Sequence, residues 1–243
     1  SWRDIKVRYK QTILGIVWVL FQPLITTGIF SIFFGKIAKI PSNGLPYPLF
    51  VLAGLVIWNF FANGLTNASQ SLVNNQSILQ KIYFPRIIIP ISAIFTAGFD
   101  FVITLVILLF ACVFYRYVPN PLIILIFPFL ILIVLLTVLG LGMFTAALNV
   151  KYRDVRYVLP FFIQVGLFVT PVIYPLSVIY DYRKWLLILN PLTGVIETFR
   201  VLISGSGQFD LGLLAVSLII AISTFVLGLV YFRKTEIYFA DIA

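Results

Sequence analysis

The chain has 243 residues, of which 61% are hydrophobic and 10% charged, and its mean hydropathy is +1.09. A water-soluble domain does not tolerate that composition, so the reading is an all-α integral membrane protein. The net charge of +9 would raise nucleic acid as a partner in a soluble protein, but here the basic residues are spread over short loops between apolar runs, so membrane topology accounts for the charge and nucleic acid drops out.

In chain order, residues 1–12 place Trp2, Ile5, Tyr9 and Ile13 at helical spacing, with Arg3, Lys6 and Lys10 on another face. That pattern predicts an amphipathic helix lying in the lipid interface on the cytoplasmic side, against the plainer alternative of a basic flank. Ser1 reads as a trimmed start. A first spanning run, 13–35, carries no charge and meets the ~20 residues needed to cross a hydrocarbon core of ~30 Å. Gln22-Pro23 bends it and calls for protein neighbours to satisfy the freed backbone.

The second span, 47–66, shades through Asn63, Asn67 and Ser69 into a polar island, Ala68 to Pro90. Read as a helix over 70–84, the island has a polar stripe of Gln70, Asn74, Ser77 and Lys81, while Leu72, Val73, Leu79, Ile82 and Tyr83 gather on the other side; Gln80 and Tyr83 join the stripe in the candidate docking set. Pro85 and Pro90 end that helix and open the next element. Two readings stand for the island: a solvated surface loop, or an element that docks a partner.

The third span, 87–115, contains Asp100, the one acid well inside a spanning run, which invites a functional reading. A fourth, 121–150, has Gly140, Gly142 and Ala146 as a small-residue face for helix packing. The short basic loop after it holds Arg153, Asp154 and Arg156. A fifth span, 157–174, is broken by Pro160 and closed by Thr-Pro-Val-Ile-Tyr-Pro, including Tyr174 and Pro175. Between 176 and 205 the apolar run is too short to cross, and Asn190-Pro191 breaks it, which predicts a re-entrant helical hairpin. On its second arm Glu197 and Arg200 stand one turn apart and form an expected ion pair, within the chain or to a facing copy. A sixth span, 211–232, completes the bundle, all within one transmembrane domain.

If the termini and even-numbered returns share a side, that side holds Arg3, Lys6, Arg8, Lys10, Lys81, Arg86, Lys151, Arg153, Arg156, Arg233 and Lys234. The other side holds Lys36, Lys39, Arg116, Arg183, Lys184 and Arg200. The positive-inside rule then places both termini, the island and the 151–156 loop in the cytoplasm. There the glycosylation-like Asn67-Ala-Ser69 and Asn75-Gln-Ser77 are chance matches.

The chain has no histidine, which excludes His-based acid–base chemistry and His metal sites. Its one cysteine, Cys112, sits in an apolar run and reads as a small core residue. No phosphate-binding G-x-x-x-x-G-K-[ST] is present, so the chain binds no ATP in that way. A transporter without its own motor couples to an ion gradient through embedded charges or borrows a nucleotide-hydrolysing partner. One embedded acid against a sizeable polar island favours the partner.

Four motifs in order carry a resemblance over nearly the whole chain: RDIKVRYKQTILGIVWVLFQP at 3–23, KIYFPRIIIP at 81–90, KYRDVRYVLPFFIQVGLFVTPVIYP at 151–175 and NPLTGVIETFR at 190–200. The chain resembles the membrane subunit of type 2 ATP-binding-cassette exporters of bacterial polysaccharides, the Wzm-like O-antigen and teichoic-acid group. The resemblance implies six spans in the bacterial inner membrane and a homodimer paired with two separate ATPase subunits that hold ATP and Mg. It implies a lipid-linked polysaccharide as substrate. The Gln70–Phe84 helix would be the coupling helix, and 176–205 the external re-entrant pair, with Tyr174, Pro175, Asn190, Pro191, Glu197 and Arg200 assigned to an external gate. An ion-coupled carrier using Asp100, an exporter of lipid or drug, and a membrane enzyme remain the rival readings.

Overall fold

A computed structural model describes residues 14–76, 85–179, 181–205 and 209–236, and these are helical with no strand among them. Helix α1 is Leu14–Phe30, prolonged by a π-helical stretch Ser31–Ile37; α2 is Tyr47–Asn74, α3 Ile88–Phe114 and α4 Ile123–Lys151. Helix α5 is Val155–Val169; α6, Asp181–Ile188, and α7, Pro191–Ser204, form a short pair, and α8 is Leu211–Glu236. The interfacial segment 1–12 lies outside the described residues.

Five stretches are long and apolar enough to cross a membrane: Leu20–Ile37, Tyr47–Asn74, Ile88–Phe114, Ile123–Lys151 and Leu211–Glu236. The expected count of six is met in length by five. The fifth run forms only the 15 residues of α5, ~22 Å at a rise of ~1.5 Å per residue, short of a ~30 Å core. Its end is dictated locally, because Pro171 disfavours helical backbone at Thr170, which is extended at ψ 140°.

Helix α2 is the most enclosed of the five long spans and packs on α1, α3, α4, α5 and α7. A chain of rings ties this core together: Phe60 to Phe101 at 4.8 Å, Phe101 to Phe127 at 6.2 Å and Phe127 to Phe199 at 5.3 Å, linking α2, α3, α4 and α7. The closest pair is α4 with α8. The small-residue face of α4 divides between partners: a Cβ at Gly140 would strike the Thr224 carbonyl of α8, whereas one at Gly142 would meet Ala68 of α2 at 2.8 Å.

The polar island does not begin a new helix at Gln70. Helix α2 runs unbroken through Asn74 and turns at Asn75, because Ala68, Ser69, Ser71 and Leu72 are buried against the bundle and hold the last turns in place. Gln70 and Asn74 therefore belong to the spanning helix. Arg86 donates to the Glu236 carbonyl at the end of α8, a favourable site for a cation. That pole, with Asn74, Arg86, Lys151 and Arg233, is basic; the opposite pole carries α6 and α7.

Candidate coupling surface and hairpin pole

At the basic pole the fold brings together residues that the sequence keeps far apart. Gln70 and Asn74 of α2 and Arg156 of α5 line one cavity of about 340 Å³ with Val73, Asn149 and Tyr157. Asn149 is buried, and its Nδ2 donates to the Ser69 carbonyl at 3.0 Å, pinning the end of α4 to α2. Asn149 carries a weak sequence signal, an amide that closes an apolar run just ahead of a basic loop. Arg153, Asp154 and Arg156 are exposed, and Asp154 caps α5 through its carbonyl, which accepts from Tyr157 and Val158. The Arg156 guanidinium donates to the Tyr157 hydroxyl at 2.7 Å and lies 4.7 Å from its ring, and Lys151 lies 5.1 Å from the Tyr152 ring. Such cation–tyrosine pairs suit a headgroup boundary. Ser77, Gln80, Lys81 and Tyr83 lie outside the described residues.

At the other pole the residues assigned to the gate form one network. Asn190 is the N-cap of α7: its Oδ1 accepts from the Leu192 amide at 3.0 Å, and Pro191 occupies the first helical position, where no donor is required. The Asn190 Nδ2 donates to Thr170 Oγ1 at 2.8 Å, fastening the α6–α7 break to the end of α5. Tyr174 donates to the carbonyls of Phe168 and Val169, and Pro175 is buried beside it. Glu197 Oε1 accepts from the Leu176 amide at 3.1 Å and lies 3.5 Å from Arg200 Nη1.

Arg200 is the centre of this network and is 3% exposed. Its Nε donates to the Phe50 carbonyl at 3.1 Å, Nη1 to Pro171 at 2.7 Å and Nη2 to Val172 at 2.6 Å. The guanidinium stacks 3.5 Å from the Phe50 ring centroid. Gly54 makes the room, since a Cβ there would stand 2.7 Å from Nη2. The ion pair with Glu197 is the longest of these contacts, so the fork is held mainly by backbone carbonyls of its own chain. Those acceptors have no residue signature, and Phe50 and Gly54 look like ordinary members of an apolar run.

Residues 1–204 match the sequence model of a family described as ABC-2 type transporter. The chain belongs to that family. Two Klebsiella pneumoniae proteins, each an O-antigen export system permease protein RfbA, are 27% identical over 240 residues, covering 99% of this chain and 92% of theirs. A Myxococcus xanthus protein of the same name is 29% identical over 202 residues, 82% of this chain and 76% of its own length.

Asp100 of this ABC-2 chain is 5% exposed and has interaction partners. A single embedded acid lacks the relay that proton coupling needs. Asp100→Asn retains an acceptor oxygen and adds donors, so export by the variant is expected to stay close to wild type. The check is transport in reconstituted vesicles with and without an imposed pH gradient. Abolished transport in a correctly folded variant would restore the ion-coupled carrier.

Proposed function

We propose that this ABC-2 chain is a permease subunit of which two copies form the path for a lipid-linked polysaccharide of the O-antigen or teichoic-acid type. Two copies of a separate nucleotide-binding subunit, holding ATP and Mg, drive the export. The observation that carries the reading is the family match together with relatives, aligned over nearly the whole chain, whose names specify O-antigen export. The basic pole faces the cytoplasm with both termini, in the inner membrane. The segment from Gln70 to Tyr83 and the Arg153–Arg156 loop form the surface that meets the ATPase, supported by the polar cavity they share. The interfacial helix at 1–12 rests on membrane lipid.

Residues 176–205 re-enter the outer leaflet and narrow the exit. Supporting this, Trp185, Leu186 and Leu189 of the hairpin expose large apolar surfaces that suit hydrocarbon better than water. The gate acts as a rigid unit, with Glu197 and Arg200 satisfied within the chain. Helix α5, though short, crosses together with the Thr170–Pro175 turn as the sixth span. The open apolar faces of α1 and α5, among them Phe21, Ile25, Phe161, Phe162 and Phe168, are where a second copy fits.

The deciding experiment is co-purification with the neighbouring ATPase followed by charge reversal at Lys81. The chain alone is expected to hydrolyse no ATP. Lys81→Glu is expected to leave the complex assembled while separating ATP turnover from polymer export. Normal polymer-dependent turnover in that variant would remove the docking role, and transport by the isolated chain under a pH gradient would remove the permease reading.

A further inference from the structure

The face of α2 that the rest of the chain leaves open is polar. From its midpoint onward the buried positions of α2 belong to the core, while Asn59, Asn63, Asn67, Gln70 and Asn74 all stay partly or fully open, with Ala62, Thr66 and Val73 beside them. At 3.6 residues per turn the five carboxamides fall within roughly 80° of the helix circumference and extend over ~22 Å of its axis, most of a ~30 Å hydrocarbon core. Among the described residues none of the five side chains has a hydrogen-bond partner. A row of unpaired carboxamides cannot face lipid, where each would lack a partner, so this face meets either water or something polar.

We infer that this carboxamide ladder is the track on which an uncharged stretch of glycan slides through the membrane, an inference that rests on the permease reading above. The chemistry selects the occupant. A carboxamide both donates and accepts, as a sugar hydroxyl does, and the stripe from Asn59 to Asn74 carries no charge to attract or repel an ion. Trp58 and Phe61 lie on the opposite, buried face of α2 and line a separate cavity, so the ladder itself presents carboxamides without aromatic rings between them. The lower rungs Asn67, Gln70 and Asn74, the last two where the track begins at the edge of the coupling surface, open into a cleft of about 450 Å³ whose far wall offers Ser92 and Thr96. Rungs of one chemical type, spaced three or four residues or ~5–6 Å apart, let a chain release one contact as it forms the next. Many weak, similar sites favour passage over capture.

The test uses the complex with its ATPase. Cys112 is the only cysteine, so Cys112→Ala provides a thiol-free chain. Asn63→Cys and Asn67→Cys, central rungs set apart from the coupling segment, are then introduced singly, with Leu65→Cys on the buried face as control. Labelling by a membrane-impermeant maleimide is followed in vesicles from cells that do or do not make the polymer. The expected result is labelling at 63 and 67 without polymer, slowed several-fold with it, and none at 65. In a separate series Asn63→Leu and Asn67→Leu are expected to slow export roughly two- to tenfold per hydrogen bond lost, with Asn63→Gln restoring most of it. Unlabelled rungs, labelling that the polymer leaves unchanged, or spontaneous disulfides joining the same rung of two copies would each overturn the ladder; the last would give the face to the second copy. Failure of the permease reading shows separately, as wild-type vesicles that export no polymer.

Discussion

Arg200→Leu is expected to leave little folded protein. The substitution strips donors from three carbonyls, those of Phe50, Pro171 and Val172, and leaves Glu197 with its Leu176 amide contact but no cation. The Phe50 carbonyl keeps its helical partner, but a buried carbonyl left without a donor, as those of Pro171 and Val172 would be, costs about 1–3 kcal/mol, and removing one member of a buried ion pair about 3–5 kcal/mol. Together these approach the whole stability of a typical domain, about 5–15 kcal/mol. Arg200→Lys restores the charge but not the planar fork, so one ammonium cannot serve three carbonyls and the phenotype is expected to be intermediate. Glu197→Gln also removes the anion of the pair, but Arg200 keeps its carbonyl acceptors, Glu197 is the more exposed partner and the new amide oxygen still accepts from Leu176, so its cost is expected to be smaller than that of Arg200→Leu. Gly54→Ala should resemble the arginine variants, since its Cβ would displace Nη2 from the Val172 carbonyl. Thermal unfolding of the detergent-purified complex ranks the series; a melting temperature for Arg200→Leu within a few degrees of wild type would remove the staple.

The arginine also shows what a sequence discloses and what it withholds. The membrane class, the break at Asn190-Pro191 and the one-turn spacing of Glu197 and Arg200 were legible, because hydropathy, proline and i,i+3 neighbours are local properties. The shortness of α5 was foreshadowed by Pro171. Three features were not legible. The acceptors of Arg200 are main-chain carbonyls, which every residue possesses. The end of α2 was placed too early because its amides mark the end of an apolar pattern, and helical backbone continues wherever the neighbouring side chains stay packed, as Ala68 and Leu72 do. Gly140 and Gly142 are adjacent in a list of small residues yet point roughly 160° apart around α4, which is why one meets α8 and the other α2. Of the residues expected in the coupling helix, Gln70 and Asn74 lie on the span, and Ser77, Gln80, Lys81 and Tyr83 lie outside the described residues.

Gly228→Leu is expected to drive α8 away from α4 and to destabilise the bundle more than any other glycine substitution. A Cβ at Gly228 would fall on the carbonyl of Gly140, and one at Gly140 on the Thr224 carbonyl and the Phe225 amide, so the two backbones touch with no side chain between them. Backbones this close gain dispersion and Cα–H···O contacts that no larger residue permits. Overpacking a core costs about 1–3 kcal/mol where side chains give way; here the obstacle is helical backbone, so the cost lies at or above that range. Gly228→Ala recovers about 1 kcal/mol of helix propensity against that loss and is expected to be less severe. Gly142→Ala meets side chains rather than backbone, the Ala68 methyl closely and Ile94 Cδ1 at ordinary contact, and should be milder still, and Gly98→Ala, with open space around it, should be neutral or stabilising. Melting temperature in detergent and polymer export in vesicles are the two readouts. The order matters for function because α8 also holds the hairpin, through Ser217 Oγ accepting from the Gly194 amide at 3.2 Å. Displacing α8 therefore loosens α7 as well, and under the gate proposed above Gly228→Leu protein that still inserts should leak a small solute. Wild-type melting and a tight exit in that variant would show that α4 and α8 are not in backbone contact.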